Sequence, residues 1–557
     1  MTIESANWEP SGVPTATDDV IIAAPAVIPA GYLATARNIT IEGDEYGGGG
    51  SMARMVQSLS SPLGDGLKRS TATSTPSITI KDGGQLRHAT DDLLVTVEKN
   101  ITGYGTSNTG GYLLLGLPLN DFLWPANVEG MTSGDYDLYH FINATVQGWE
   151  NYKTTNFTFF PNNESAYLYA NSANKTLAFT GRTDANNESG FTSGVYVDAA
   201  KAVTPFTNGW RIFANNSVCN AYVQYEDGEN NTLTANFYKM NAAGNGLSLY
   251  KNYVIVNPGE AIFVEVSASG HLRCSYEPLH DAPTAEAGTY WLPLLPQHGQ
   301  TVDHVLLIDA AANSSAITAL NGQTVNLVLA NRTLYKDGNW NTLCLPFSID
   351  DMDINNTPLA GAKLMSLANV NSNTGFDSST GTLTLDFVDA GEIEAGVAYI
   401  VKWETTGDPI ENPVFKGVTI TTDTPADHKT TSQDEKVSFV GTYDQKTYTD
   451  EDKTVLFLGG ANTLYYPSGS NPTTIGAFRA YFQLNGITAS ESSSGVRAFN
   501  LNFGEDNETT GIMSIENGKL KIENEADAWY SLDGRKLDGK PTRKGLYIHN
   551  GNKVVIK

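Results

Sequence analysis

A chain of 557 residues with a formal charge of −26 lacks the clustered lysine and arginine that nucleic acid or an anionic lipid surface demands, and its acidity serves solubility. The 53 glycines and 26 tyrosines, beside only 17% charged residues, favour strands and tight turns over helices, and the length implies roughly three to five domains at about 150 residues each. No run approaches the roughly 20 apolar residues of a membrane-spanning helix, so no membrane insertion is expected; Met1 opens on polar sequence without a signal peptide, so an exported protein would have its true N-terminus upstream.

From the N-terminus, Trp8 stands in a proline-punctuated run, NWEPSGVPTATDDVII, and short β-branched strands follow at Val20, Asn38 and Ser77. Strands of Val, Ile and Thr separated by glycine turns are how the rungs of a parallel β-helix read. So few rungs predict a β-helix-like stub over 1–92 that needs a neighbour. Between the second and third rungs, 43–75 is rich in Gly and Ser and has no period, so it is expected to be a disordered, extruded insertion. It contains GGGGS at Gly47 to Ser51.

Beyond the stub a three-strand motif recurs. Its opening strand reads YLLLGLPL from Tyr112, WRIFANNSV from Trp210, which has lost the proline, and WNTLCLPFSI from Trp340. A second strand follows in YDLYHF from Tyr136, NFYKMN from Asn236 and AKLMSL from Ala362. A third follows in ESAYLYAN from Glu164, GEAIFVEV from Gly259 and AGVAYIVKW from Ala395. The aromatic at the head of the opening strand supplies buried area to a sandwich core, and the proline at its end cannot donate to a ladder, so pairing stops there. Pro258-Gly259 is the pair a type II turn selects. Ile262, Val264 and Val266 then share one face, the alternation of a half-buried strand.

The repeat predicts β-sandwich modules at 93–189 and 190–283, a polar connector over 284–322, and a longer module over 323–505. The many added strands of that last module make a jelly-roll-like double sheet the natural solution. The acidic EDNETTG, Glu505 to Gly511, reads as a linker, and 512–557 as a small Ig-like sandwich with strands at Trp529, Leu546 and Val554 and an Asn550-Gly551 hairpin turn. The expected fold class is all-β: a β-helix-like stub, tandem β-sandwich modules and a small C-terminal sandwich.

Catalytic chemistry finds little support. GxSxG, HExxH and phosphate-loop patterns are absent, no cofactor or metal is implied, and the chain is expected not to be an enzyme. Cys219, Cys274 and Cys344 show no CxxC spacing, which leaves one Cys219–Cys274 bridge as an open alternative to free thiols. His280, Asp281, His298, Asp303 and His304 cluster along the connector, match no metal motif, and read as solvated loop residues. Trp124, Trp149 and Tyr152 lie outside the named strands of the first module. They are candidates for stacking on sugar rings if exposed, and core residues otherwise.

The C-terminus carries a resemblance. Tyr530-Ser-Leu-Asp-Gly-Arg-Lys-Leu537, Lys544-Gly-Leu-Tyr-Ile548 and Asn550-Gly-Asn-Lys-Val-Val-Ile-Lys557 resemble the C-terminal sorting domain of proteins exported by the type IX system of Bacteroidetes. The modules, through Trp210, Phe237 to Asn241 and Glu260 to Val264, resemble secreted repeat domains of the same bacteria, with Asn215-Asn216 where NP is usual. NWEPSGVPTATDDVII resembles the start of their surface β-helix segments. The resemblance implies an extracellular or cell-surface protein whose C-terminal domain meets the export machinery, with Gly545, Tyr547, Asn550, Gly551, Lys553 and Lys557 presenting the signal. The function expected is a non-catalytic adhesin or glycan-binding protein with a glycan or host-surface ligand. The alternative is the accessory end of a polysaccharide-degrading enzyme whose catalytic domain lies upstream.

Overall fold

The computed structural model describes residues 8–9, 12–42, 67–70, 77–108, 110–131, 136–143, 146–186, 191–197, 210–276, 282–287, 295–459, 464–467, 472–490 and 495–504, then the strand segments 509–516, 519–522, 529–531, 536–537, 545–549 and 552–556. The fold is all-β as expected, with 46% of the described residues in strands and 4% in helices. It divides into two compact units, 1–304 and 305–557.

The first unit opens with stacked coils of a β-helix. Asp19–Ile22 pairs in parallel with Asn38–Ile41, Ala26–Ile28 with Ile78–Ile80, and Leu33–Thr35 with Gln85–Arg87. The β-branched residues alternate inward, so Val20, Ile22, Ile28, Ile39, Ile41, Ile78 and Ile80 are all buried. The neighbour that this stub requires is the first module itself. Leu93–Ile101 continues the stack in parallel on Ile78–Ile80 and then takes Lys175–Thr183 as an antiparallel partner from Leu93↔Thr183 to Ile101↔Lys175. One core holds Ile22, Ile80, Val97, Phe179 and Tyr169 together. Residue 92 is therefore not a packing boundary, because a long strand shared by both architectures joins their cores.

The insertion 43–75 corrects one expectation. Within it, Leu67–Ser70 is a strand that lies parallel on Asp19–Ile22 and antiparallel to Trp8–Glu9. It covers an edge that would otherwise be open to foreign strands, so the insertion is not dispensable throughout. Replacing 43–66 by a short Gly-Ser linker is expected to leave the melting of the first unit nearly unchanged, since loop length adds little closure entropy. Removing 43–75 entirely should cost roughly 2–4 kcal/mol in lost ladder hydrogen bonds. Thermal unfolding of the two deletions, followed by circular dichroism, separates these outcomes.

The recurrent motif has the same topology in all its copies. The third strand always lies between the opening strand and the second: Leu113–Leu115, Tyr167–Asn171, Tyr136–Asn143; Trp210–Ala214, Ala261–Val266, Ala235–Met240; and Asn341–Cys344, Ala398–Lys402, Lys363–Leu367. Every pairing within the triplets is antiparallel. Tyr112 is 3% exposed and Trp340 6%, as their place at the head of a core strand predicts; the Trp210 side chain lies outside the described residues. Gly259 has φ +70, and Glu260 N–H bonds to Asn257 O at 3.1 Å, which closes the Pro258-Gly259 turn.

Modules one and two form one body. Gly116 N–H reaches Gly259 O at 3.0 Å, and a Cβ on Gly116 would lie 2.8 Å from the Ala214 Cβ, so only glycine lets the two motifs meet. Glu260 links them electrostatically, with Lys239 at 2.6 Å and Lys99 at 3.8 Å. Burial alone would raise its pKa, but the two ammonium groups outweigh burial and hold it down to about 2. The second module is a pair of four-stranded sheets on a core of Phe213, Tyr225, Phe237, Ile262 and Leu272. Cys219 and Cys274 are buried thiols in it and form no disulfide, so the bridge left open above is not made. Burial pushes the Cys219 thiol up to about 11.

In the second unit a 13-stranded sheet folds over one core. Phe387 meets Phe439 and Phe482 edge-on at 6.1 and 6.4 Å, bringing the two halves of the sheet face to face. The expected linker at 505–511 ends sooner than predicted. Thr509–Glu516 pairs with Ala498–Asn502, and Lys519–Ile522 with Thr509–Glu516 and with Tyr465, so the third module's sheet runs on to residue 522. The remaining C-terminal strands form a separate sheet, ordered Lys536–Leu537, Trp529–Ser531, Gly545–His549, Asn552–Ile556.

Candidate functional site

Two aromatic side chains of the first module stand out in solvent. Phe122 is 67% exposed and Trp124 51%. Their backbone is held against the segment 157–160: Leu123 N–H donates to Phe159 O at 3.2 Å and Phe159 N–H to Leu123 O at 2.8 Å. Leu123 and Phe159 point into the core, so by strand alternation their neighbours Phe122 and Trp124 must face outward. Phe122 packs edge-on against the half-buried Phe160, with ring centroids 5.6 Å apart. Pro125 follows Trp124 and keeps it extended, at φ −76 and ψ 140, before the short 3-10 turn Pro125–Asn127. Asn127 N–H closes back on Trp124 O at 2.8 Å. The result is a rigid aromatic ledge with exposed Asp121, Asn127 and Glu129 beside it.

Behind the ledge, His140 stacks on Phe160 at 6.0 Å and on Tyr167 at 5.1 Å and lies 3.6 Å from Glu150. Its pKa is lowered by burial, with the Glu150 carboxylate opposing. The Tyr167 hydroxyl donates to Thr158 O at 3.2 Å and accepts from Phe160 N–H at 2.8 Å, which fixes the strand that carries Phe160.

The three aromatic candidates thus separate. Trp124 is on the ledge. Trp149 is 1% exposed, between Phe141 at 5.1 Å and Phe263 of the second module at 6.3 Å. It can offer no ring face to a sugar, and its stacking role is withdrawn because the module junction covers it. Tyr152 is half-buried, edge-on to Phe157 at 5.3 Å. Phe122 was missed, although the alternation Phe122-Leu123-Trp124 before a proline carries the signal.

The connector residues prove to be a strap rather than a solvated loop. The His298 side chain is 6% exposed, with Nδ1 2.9 Å from Asp137 Oδ2, Nε2 2.8 Å from Gly110 O, and its ring 3.5 Å from that of Tyr104. Asp303 accepts from Asn151 N–H at 2.8 Å, and burial raises its pKa. His304 is also buried. His280 and Asp281 lie outside the described residues. Among the described residues no group of three or more His, Cys, Asp or Glu is placed to hold a metal.

At the C-terminus, Gly545 and Tyr547 lie on one strand and Lys553 on the next, with Tyr547 opposite Val554 and His549 opposite Asn552. Asn550, Gly551 and Lys557 are themselves outside the described residues. No family model, curated protein or solved structure matches the chain.

Proposed function

We propose that the protein is a non-catalytic, secreted or cell-surface β protein that binds neutral glycan on the Phe122–Trp124 ledge. The exposure of two rings on a backbone pinned by Leu123 and Phe159 carries this reading. Pre-organised aromatic faces lose little entropy on binding and suit the apolar face of a pyranose. The carboxylates beside the ledge and the net charge of −26 favour an uncharged ligand over a polyanionic one. A glycan array probed with the full chain is expected to show binding that Trp124→Ala and Phe122→Ala each weaken about tenfold or more, roughly one aromatic contact of 1.4 kcal/mol. Equal signals from both variants and the wild type would end this assignment. The same ledge would serve an accessory domain of a polysaccharide-degrading enzyme, the alternative role.

The resemblance at the C-terminus supports export through a type IX machinery. Because Thr509–Glu516 completes the preceding sheet, a truncation at Gly511 would damage the third module. The informative cut falls after Ile522. In a host with this machinery, and with a signal peptide attached, that truncation should accumulate in the periplasm while the full chain reaches the surface; equal display would rule the sorting role out.

A further inference from the structure

The second unit holds a cleft of about 250 Å³ between the helix Ser314–Ala319, the loop 422–426 and the strand Val437–Thr442. Its size falls below the roughly 300–1,000 Å³ of pockets for drug-sized ligands. Asp444, Lys446 and Tyr481 all line it. The Asp444 carboxylate accepts from Asn313 N–H at 2.6 Å, Ser314 N–H at 2.9 Å and Ser314 Oγ at 2.6 Å. A carboxylate has about four acceptor positions, so one remains. The Lys446 ammonium donates to the Tyr481 hydroxyl at 2.7 Å and lies 4.5 Å from the centre of that ring. Two of its three N–H donors remain, and the Tyr481 O–H, having accepted from lysine, can still donate. No ion pair joins Lys446 to Asp444 or to any other described carboxylate.

An unspent acceptor, unspent donors and the Thr422 hydroxyl thus surround a small space whose other walls are Ile317, Pro425 and Val440. A hydroxyl group donates and accepts at once, so neighbouring hydroxyls of a polyol match this mixed set better than a simple anion or cation does, while the apolar walls suit ring C–H groups. We propose that this cleft binds one neutral pyranose residue, at a site separate from the ledge and not dependent on it.

The test is saturation-transfer NMR with D-glucose, D-galactose and D-mannose on the full chain carrying Phe122→Ala and Trp124→Ala, which strips the ledge of both rings. At least one sugar is expected to show transfer in this background, weakened about tenfold by adding Lys446→Met and reduced by adding Thr422→Val. Because the ledge is stripped in every sample, the outcome does not depend on the reading given to it. Absence of transfer from every sugar, or equal transfer in the cleft variants and their ledge-stripped parent, would each overturn the proposal.

Discussion

Trp340→Ala is expected to destabilise the second unit by about 3–5 kcal/mol, the cost of emptying a well-packed aromatic site. Trp340 heads the opening strand of the third motif and is 6% exposed. Its ring stacks on Phe503 at 5.0 Å, with the Lys402 ammonium 4.9 Å from it. Phe503 in turn stacks on Phe387 at 5.4 Å, so the cavity would open at the junction of the two sheet halves. Trp340→Phe should recover much of the loss. Calorimetry checks this: the transition of the second unit should fall while that of the first stays, and an alanine variant melting like the wild type would place the tryptophan outside the load of the core.

Acid should weaken the first unit through His88. Its ring is 0% exposed; Nδ1 accepts from Thr90 N–H at 3.3 Å, and Nε2 has no partner. Burial lowers its pKa from 6.5 to about 4, and the Asp91 charge opposes this only in part. A base with a depressed folded pKa binds its proton first in the unfolded chain. Its contribution is therefore complete above pH 6.5 and is lost as pH falls toward about 4. At 1.36 kcal/mol per unit the loss is about 3 kcal/mol. Urea unfolding from pH 7 to 4 should show this slope in the wild type and a flatter one in His88→Gln. Parallel slopes would mean the imidazole finds a partner when protonated.

Much of the fold follows from local chemistry. The strand triplets were legible because an aromatic head, a proline stop and a Pro-Gly turn each act over a few residues, and the inward alternation of Val20, Ile22 and Ile39 marks rungs wherever they stack. The outward pairing of Phe122 and Trp124 around Leu123 is local in the same sense. Contacts between residues far apart in sequence decided the rest. Trp149 became core because Phe263 arrives from another module, and His298 became a strap because Asp137 and Gly110 meet it from the first module. Leu67–Ser70 and Thr509–Glu516 became strands because open sheet edges offered them hydrogen bonds. Composition and period report what a segment can do alone; which edge is open and which face is covered is a property of the assembled chain, since backbone groups and apolar faces are satisfied by whatever packing brings to them.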